Sequence, residues 1–538
     1  MEKRAFIAIL LSLLILVAWQ EWMSRFYPAP PEAPQAPAKQ EAPKSPPAPQ
    51  PAPAAPTAST SAPTPLPVAQ VAKEVKIDTD DYVAVFTTQG ARLKSYQFKH
   101  YRTDANPQSP PYELIHAGPG VPLPLGMRWQ AGAQLLADDN LVYSVSGGDL
   151  KLSGPAKGTL SFQAQAPDGS VATKSFTFSG AGYLIQLQAS VKSSTGSALA
   201  PEMLLTEKSD HTVPNPGAPF EGLIALVDNK IKRETSVEPN KSIEFAGEVS
   251  WAGFGYTYFF LAALPDTSPQ HKLSLTNTGS ALVASLRPLS GNGAQSYTLF
   301  AGPKEISTLE AVGRGIERSI DFGYFAFIAI PLLYVLHFFH RFTGSYGIDI
   351  ILLTVVIKIL MAPLTHKSFV SMKQMQKLAP QMEKLKERYK DDKEKLNREI
   401  MELYRRNGVN PLGGCLPMGL QFPVFIGLYN ALSTPIELRH ASFLWIQDLS
   451  QPDWKSLPIS MAGWDFGIPV LTILMGASMF IQQWMTPSAG DPNQRKLMLM
   501  MPLIFTFMFV TFPAGLTIYW LVNNILSIAQ QYWINRQD

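Results

Sequence analysis

The spacing of apolar and polar positions changes character several times along the chain. Lys3 and Arg4 precede an apolar run from Ala5 to Trp19 in which Ser12 is the only polar residue. Residues 28–67 have no period and carry 15 prolines in 40 positions, mixed with Ala, Ser, Thr and Gln. Such a stretch cannot bury a core and favours extended, polyproline-like conformations, so it reads as a tether. From about 70 to 303 the period is two. Tyr82-Val83-Ala84-Val85-Phe86 leads to Gly90 and then to Leu93, Tyr96 and Phe98, while Tyr183 to Val191 alternates throughout. Thr159–Gln165 and Ser175–Ser179 flank Asp168-Gly169, a hairpin turn signal. Many short strands with Gly, Pro and Asp turns predict a large all-β sandwich. Residues 305–321 read as one helix closing it.

Beyond 322 long apolar stretches take over. Phe322 to Phe342 is interrupted by Pro331, His337, His340 and Arg341; Ile348 to Leu364 is apolar except for Asp349 and Lys358. Leu412 to Leu432 and Phe466 to Met485 carry no Lys or Arg, and between Lys496 and Arg536 there are 39 residues without a charge. That last stretch exceeds one span of about 20 residues, and Thr511 to Gly515 supplies a turn that divides it in two. A helical pattern lies between: Met375, Leu378, Met382, Leu385 and Tyr389 repeat at intervals of three and four, and Leu396, Ile400 and Leu403 continue after Asp391-Asp392. This predicts an antiparallel helical hairpin, with Pro380 starting or kinking its first arm.

Charge orients these pieces. Residues 366–411 hold 12 Lys/Arg against 7 Asp/Glu, whereas 433–463 hold only Arg439 and Lys455. The positive-inside rule places the hairpin in the cytoplasm and the second loop outside. With Lys3 and Arg4 inside, the β-domain falls outside, and the parity closes only if 322–342 lies on the outer membrane surface as an amphipathic helix. Gln20-Glu21-Trp22 stands where a signal peptide would carry small residues, so the first run reads as an uncleaved anchor. The expected fold class is therefore a multi-domain membrane protein: an all-α polytopic bundle of six transmembrane helices, a large all-β periplasmic domain and a cytoplasmic helical hairpin. The expected boundaries are an anchor at 1–27, a linker at 28–67, the β-domain with its closing helix at 68–321 and the interfacial helix at 322–342. The second span follows at 343–365, the hairpin at 366–411, the third span at 412–434 and an outer loop at 435–463. The fourth span takes 464–485, an inner loop 486–496, and the last two spans 497–512 and 513–534.

Composition agrees with this picture and narrows the chemistry. Only 16% of the 538 residues are charged, the net charge is +3 and the mean hydropathy is +0.02; soluble domains carry about 25% charged residues. The small net charge argues against nucleic acid. A single cysteine, Cys415, excludes an internal disulfide framework and a cysteine-rich zinc site. There is no Walker A loop, HExxH or GxSxG motif. His337 and His340, three apart, read as a polar stripe rather than as metal ligands. No cofactor, metal or catalytic residue is expected.

Lys358 is the residue that asks for a function. A lysine inside a span costs about 2.5–3.5 kcal/mol on insertion scales. It lies eight residues from His366, about 12 Å along a helix, farther than a lysine stem reaches by snorkelling. No carboxylate within the spans is available to it. Thr354 shares its helical face, and Gln421, Asn430, Tyr519, Asn523 and Asn524 are polar groups that either line the same wet space or bond helix to helix. An uncompensated cation there would attract anionic or polar groups brought by something else.

The order of basic anchor, Pro-rich tether, large β-domain and five-span core resembles the YidC membrane protein insertases of Gram-negative bacteria. The motifs that carry the likeness are MAPLT (Met361 to Thr365), NPLGGCLP (Asn410 to Pro417), QFP (Gln421 to Pro423), FPAGL (Phe512 to Leu516), WAGFGYTYFFLAALP (251–265) and FAGPKE (300–305). The resemblance implies a β-supersandwich similar to sugar-mutarotase folds, and a hydrophilic groove closed to the outside and open to cytoplasm and lipid. A positive residue in that groove, here Lys358, would receive the hydrophilic segment of a substrate, whose apolar part slides out along the third and fifth spans. Thr354, Gln421, Tyr519, Trp520 and Asn523 would contact substrate; Met375, Met382, Leu385 and Tyr389 would form the hairpin's working face. Implied partners are nascent inner-membrane proteins, the Sec translocon, membrane lipids and the ribosome. Lys358 stands where arginine is usual, keeping the charge but losing the bidentate fork, and Trp520 stands where a second tyrosine is common. With Arg536 as the last basic residue before Asp538, ribosome docking through a basic tail is not expected. Two other readings share these features: a small-solute transporter or channel built around Lys358, and a membrane-tethered periplasmic carbohydrate-binding protein.

Overall fold

The computed structural model describes residues 72–118, 120–209, 220–266, 270–289, 293–409, 416–461, 464–486 and 492–536. The anchor (1–27), the linker (28–67), Cys415 and residues 487–491 of the inner loop lie outside the described residues.

Residues 74–303 form three mainly antiparallel sheets. The largest follows the order Lys230–Glu234, Gly222–Val227, Val249–Gly255, Phe259–Pro265, Gln295–Pro303, Leu184–Lys192, Val171–Ser179, Lys157–Gln165 and Ser144–Ser146. A six-stranded sheet is built on Glu202–Lys208, Ala281–Pro288 and His271–Asn277, and a five-stranded sheet on Glu74–Asp78, Tyr82–Thr87 and Arg92–Arg102. The alternation read in Leu184–Lys192 places Ile185, Leu187, Ala189 and Val191 inside. Val171 pairs with Gln165 across Asp168-Gly169, where Gly169 takes φ +85°. One core joins the sheets through Phe86, Phe98, Phe162, Phe176, Trp129 and their neighbours. Inside it Lys174 donates to the carbonyls of Gly90 and Leu125 at 2.7 Å each and pairs with Asp138 at 2.6 Å. Arg92 approaches the other oxygen of Asp138 at 2.9 Å.

The large sheet is buried on both faces where it meets the helices. In Gly222–Val227, Leu223, Ala225 and Val227 point into the sandwich, while Ile224 and Leu226 enter a second core. Phe260, Ala262 and Leu264 do the same in Phe259–Pro265. Such strands read as continuous apolar runs because neither face is solvated. The second core continues through Ile306 and Leu309 of α1 (Ile306–Val312) and through Leu333 and Leu336 of α2 (Ala326–Thr343) into the helical bundle. Residues 305–321, expected as one helix, are interrupted: Gly313, Arg314 and Gly315 adopt φ of +75°, +57° and +74°, and a 3-10 turn covers Ile316–Ser319. The Arg314 carbonyl turned inward by this break accepts the Trp251 indole N–H at 3.2 Å.

The remaining helices are α3 (Tyr346–Lys377), α4 (Ala379–Arg388), α5 (Lys393–Arg406), α6 (Leu416–Ser433), α7 (Val470–Met485), α8 (Pro492–Phe509) and α9 (Ala514–Arg536). Of the described helices, α2 and α3 are long and apolar enough to cross a membrane, and α7 and Met498–Phe509 are shorter apolar helices. α9 packs between α3 and α7, α8 lies on α7, and α2 lies on α6 and α3. Three boundaries differ from expectation. α3 does not stop at 365 but runs to Lys377 through Pro363. Residues 464–467 pair as a strand with Pro458–Met461, and α7 begins only at Val470, where buried Asp453 accepts from Leu471 N at 2.8 Å and from the Thr472 hydroxyl at 2.7 Å. That carboxylate satisfies N–H groups a helix start leaves orphaned. The division at 512/513 falls at 509/514, with Pro513 just before α9.

Along its length α2 touches one end of the bundle. The Phe322 carbonyl before it accepts from Asn430 at 2.8 Å, Ile328 meets Gly427, and Tyr334 reaches Glu310 of α1. His337 lies 3.0 Å from buried Glu437 and His340 2.7 Å from fully buried Asp349, which Thr343 also bonds. Of these partners, Asp349 lies in the first turn of α3, Gly427 and Asn430 in the second half of α6 and Glu437 just after it, while Glu310 belongs to α1. The loop after α6 is tied to the β-domain as well: the Arg439 guanidinium lies over the rings of Tyr112, Tyr258 and Phe259 at 5.3–5.7 Å and donates to the Arg102 carbonyl at 2.7 Å.

Candidate functional site

Thr354, Lys358, Met361, Thr365 and Ser368 recur at intervals of three and four and share one face of α3. This face meets α9. The Lys358 ammonium donates to the Ser527 hydroxyl at 2.5 Å, and that hydroxyl donates to the Asn523 carbonyl at 2.7 Å. Two turns along α3, Thr365 and the Gln530 amide bond each other at 3.0–3.1 Å, and Gln530 also reaches the Ala362 carbonyl at 3.3 Å. On the opposite face of α3, Ile359 and Leu360 are exposed. Among the described residues no carboxylate stands within ion-pair distance of Lys358. Asp349 is nine residues away, about 13 Å along the helix, and is already engaged by His340 and Thr343.

The other polar residues singled out in the sequence fall into separate layers. Thr354 is buried and its hydroxyl bonds the Ile350 carbonyl of its own helix at 2.6 Å. Gln421 of α6 donates to the hydroxyl of buried Tyr519, eight residues before Ser527 and so about 12 Å along α9. Asn523 is half-buried and contributes its carbonyl to Ser527. Asn430 holds the backbone ahead of α2, and Asn524 donates to Ser478 of α7 at 2.9 Å. The structure thus brings Lys358 to the turn containing Asn523 and brings Gln421 to Tyr519, but it does not gather all of them in one place. Ser527, Gln530, Thr365 and Ser478 join these layers without standing out in the sequence. Their signal is the spacing Asn523, Ser527, Gln530 within a charge-free stretch, a polar stripe at helical period.

Trp520 belongs to an aromatic layer. Its ring lies 5.1 Å from Phe425 of α6, 5.1 Å from Phe509 and 6.3 Å from Phe505 of α8; Phe512 continues the layer to Phe509 at 4.9 Å and Tyr429 at 5.8 Å. The layer joins α6, α8 and α9 near the start of α9. Farther out, Phe422 of α6 and Met500, Met501, Leu503, Ile504, Phe507 and Met508 of α8 are exposed.

Beyond α3 the chain folds back as α4 and α5, which meet through Leu378, Met382, Tyr404 and Val409, with Met375, Ile400 and Leu403 against them. The Tyr404 hydroxyl contacts the Met382 sulfur at 3.0 Å. Leu385 and Tyr389 are half-buried, and Lys395 lies over the Tyr389 ring at 5.2 Å. Asp392 caps α5 by accepting from Lys395 N. No group of three or more His, Cys, Asp or Glu side chains suited to a metal gathers among the described residues.

Comparison with known proteins decides which family this arrangement serves. Residues 74–335 match the family model of the YidC periplasmic domain, and residues 338–538 match that of the 60Kd inner membrane protein. Over their full lengths, the membrane protein insertase YidC of Syntrophobacter fumaroxidans is 41% identical to this chain and that of Syntrophus aciditrophicus 39%. The chain belongs to the YidC family of membrane protein insertases. An active YidC insertase crystal structure with the first transmembrane domain resolved matches 87% of this chain and 94% of its own, at 17% identity and a TM-score of 0.37. The two YidC family models meet inside α2, the helix that bridges the β-rich domain and the bundle. Insertase relatives of this length and identity do not support the solute-carrier or carbohydrate-binding readings.

Proposed function

We propose that this YidC-type insertase receives the hydrophilic segment of a nascent inner-membrane protein beside Lys358 and releases its apolar segment into the bilayer along α6 and α8. The observation that carries the reading is the state of Lys358. Its ammonium sits between two helices, anchored by a neutral hydroxyl and, among the described residues, not neutralised by a carboxylate. A charge left uncompensated inside a bundle is expensive, and a passing segment that brings polar or acidic groups offsets that cost only while it is bound. The exposed apolar side chains of α6 and α8 offer a sliding segment the same environment as lipid. Catalysis here involves no covalent step and no catalytic residue; the chain lowers the barrier to moving polar groups into a bilayer.

In this reading the chain lies in the bacterial inner membrane with six spans and both termini in the cytoplasm. The β-domain and the loop after α6 face the periplasm, and α2 lies along the outer surface. The contacts of residues 322–340 with a single end of the bundle support that placement of α2, and the excess of Lys and Arg in 366–411 supports a cytoplasmic α4–α5 pair. That pair, with Met375, Met382, Leu385 and Tyr389, meets the nascent chain as it leaves the ribosome, its methionines adapting to different apolar sequences. The insertase works alone or beside the Sec translocon.

The test is insertion of a single-span protein into proteoliposomes holding the full chain. Lys358→Glu abolishes insertion and Lys358→Arg preserves it. Wild-type insertion by Lys358→Ala would show that the charge is dispensable.

A further inference from the structure

We infer that Ser527 is the positioning residue of the intramembrane cation, holding the Lys358 ammonium in place while leaving its charge available to an acidic group of the incoming chain. The inference rests on the reading of Lys358 given above and adds to it the means by which a lysine serves there. An arginine presents a rigid planar fork, whereas a lysine is a point charge on a four-carbon stem with three rotatable donors. A lone ammonium needs an anchor to stay oriented, and the kind of anchor decides its charge. A carboxylate would fix it and cancel it. A hydroxyl fixes it and leaves the charge intact.

The geometry shows how the hydroxyl is prepared. Ser527 is 3% exposed, and its own proton is directed to the Asn523 carbonyl at 2.7 Å on the preceding turn, so its lone pairs face the ammonium at 2.5 Å. Among the described residues one N–H of the lysine is taken and two remain. The helix that carries Ser527 is held on two sides. Gln530 clasps Thr365 and the Ala362 carbonyl of α3, while Asn524 bonds Ser478 and Gln531 bonds the Met485 carbonyl of α7 at 2.6 Å. These bonds prevent α9 from rotating Ser527 away from Lys358. Thr354, on the same face of α3, directs its hydroxyl proton to the Ile350 carbonyl one turn back, a full turn of helix away from the ammonium that Ser527 receives.

The experiment uses the full chain in proteoliposomes and two versions of one single-span substrate, differing only in two aspartates or two asparagines in the translocated segment. Ser527→Ala should slow insertion of the aspartate substrate about ten- to a hundredfold, the equivalent of one hydrogen bond to a charged group, and leave the asparagine substrate within about twofold. Ser527→Thr restores the hydroxyl and should restore the rate. Ser527→Asp should pair with Lys358 and abolish the preference for aspartate, as Lys358→Ala does. Equal slowing of both substrates by Ser527→Ala would mean that the residue only packs α9 and would overturn the inference. So would a normal rate in Ser527→Ala when Lys358→Ala is impaired. If Lys358→Ala itself inserts the aspartate substrate normally, the underlying reading fails along with this one.

Discussion

Replacing Gly476 with alanine tests how α8 is held against the rest of the bundle. A Cβ at this position would lie 2.2 Å from the Thr506 hydroxyl oxygen, 3.0 Å from its methyl and 3.1 Å from its Cβ. The first distance is about 1 Å short of ordinary contact. Thr506 is β-branched and has little rotamer freedom in a helix. Its hydroxyl also bonds the Pro502 carbonyl at 2.7 Å. The clash is relieved either by rotating Thr506 and breaking that bond, at about 1 kcal/mol, or by prying α7 and α8 apart. Overpacking of this kind costs about 1–3 kcal/mol. α8 has α7 as its main helical neighbour and otherwise meets the bundle through the aromatic layer, so the displacement falls on the exposed face assigned to the sliding segment. Gly476→Ala should therefore lower the thermal unfolding midpoint in detergent and slow insertion. Thr506→Ala removes the obstructing atoms, and the double variant Gly476→Ala/Thr506→Ala should recover most of the loss, with a coupling of about 1–2 kcal/mol between sites in contact. A Gly476→Ala protein with wild-type stability and rate would refute the reasoning. So would a double variant no better than the sum of its parts.

Three further outcomes follow from other parts of the molecule. Lys174→Ala removes one partner of the buried Lys174–Asp138–Arg92 network and leaves Asp138 and the Gly90 and Leu125 carbonyls short of a donor; it should destabilise the β-domain by about 3–5 kcal/mol in denaturant unfolding. Burial draws the Lys304 amine down to about 7; Arg233 adds to the shift by repulsion, and Glu221 and Asp321 oppose it. Because its folded value is the lower one, its favourable contribution is complete above the unfolded value and is lost as pH falls toward 7. Lys304→Met should then stabilise the chain most at pH 6 and by a shrinking margin up to pH 10, and a margin independent of pH would contradict this. Deleting 383–400 should impair insertion while the circular dichroism and unfolding midpoint of the bundle stay close to wild type; undiminished insertion would reduce α4 and α5 to a solubilising pair.

Much of the β-domain was visible in period and turn chemistry. Leu184 to Lys192 alternates because one face of that strand is wet, and Asp168-Gly169 turns because Gly169 must take a positive φ. Period two fades in Gly222–Val227 and Phe259–Pro265, whose burial on both faces depends on helices far along the chain. At the candidate site, Lys358 was conspicuous as a charge inside an apolar run. Ser527 was not, since a serine in such a helix ordinarily bonds its own backbone, and here it does that and receives the lysine as well. Thr354 shares a face with Lys358, yet sharing a face does not tell which way a hydroxyl turns, and this one turns to the Ile350 carbonyl.

The sequence by itself determined the partition of the chain into an apolar anchor, a proline tether, a strand-rich domain and an apolar helical core carrying one lysine, because composition and period report the solvent each segment is built for. Its motifs also identified the family. The tertiary structure decided three things that period cannot express. It buried the second face of the large sheet against α1, α2 and the bundle, it laid α2 across the end where α3 begins, and it set Ser527 against Lys358. Each is a contact between residues far apart in the chain, and a hydrogen bond specified to a few tenths of an ångström depends on the packing of both helices that carry its ends.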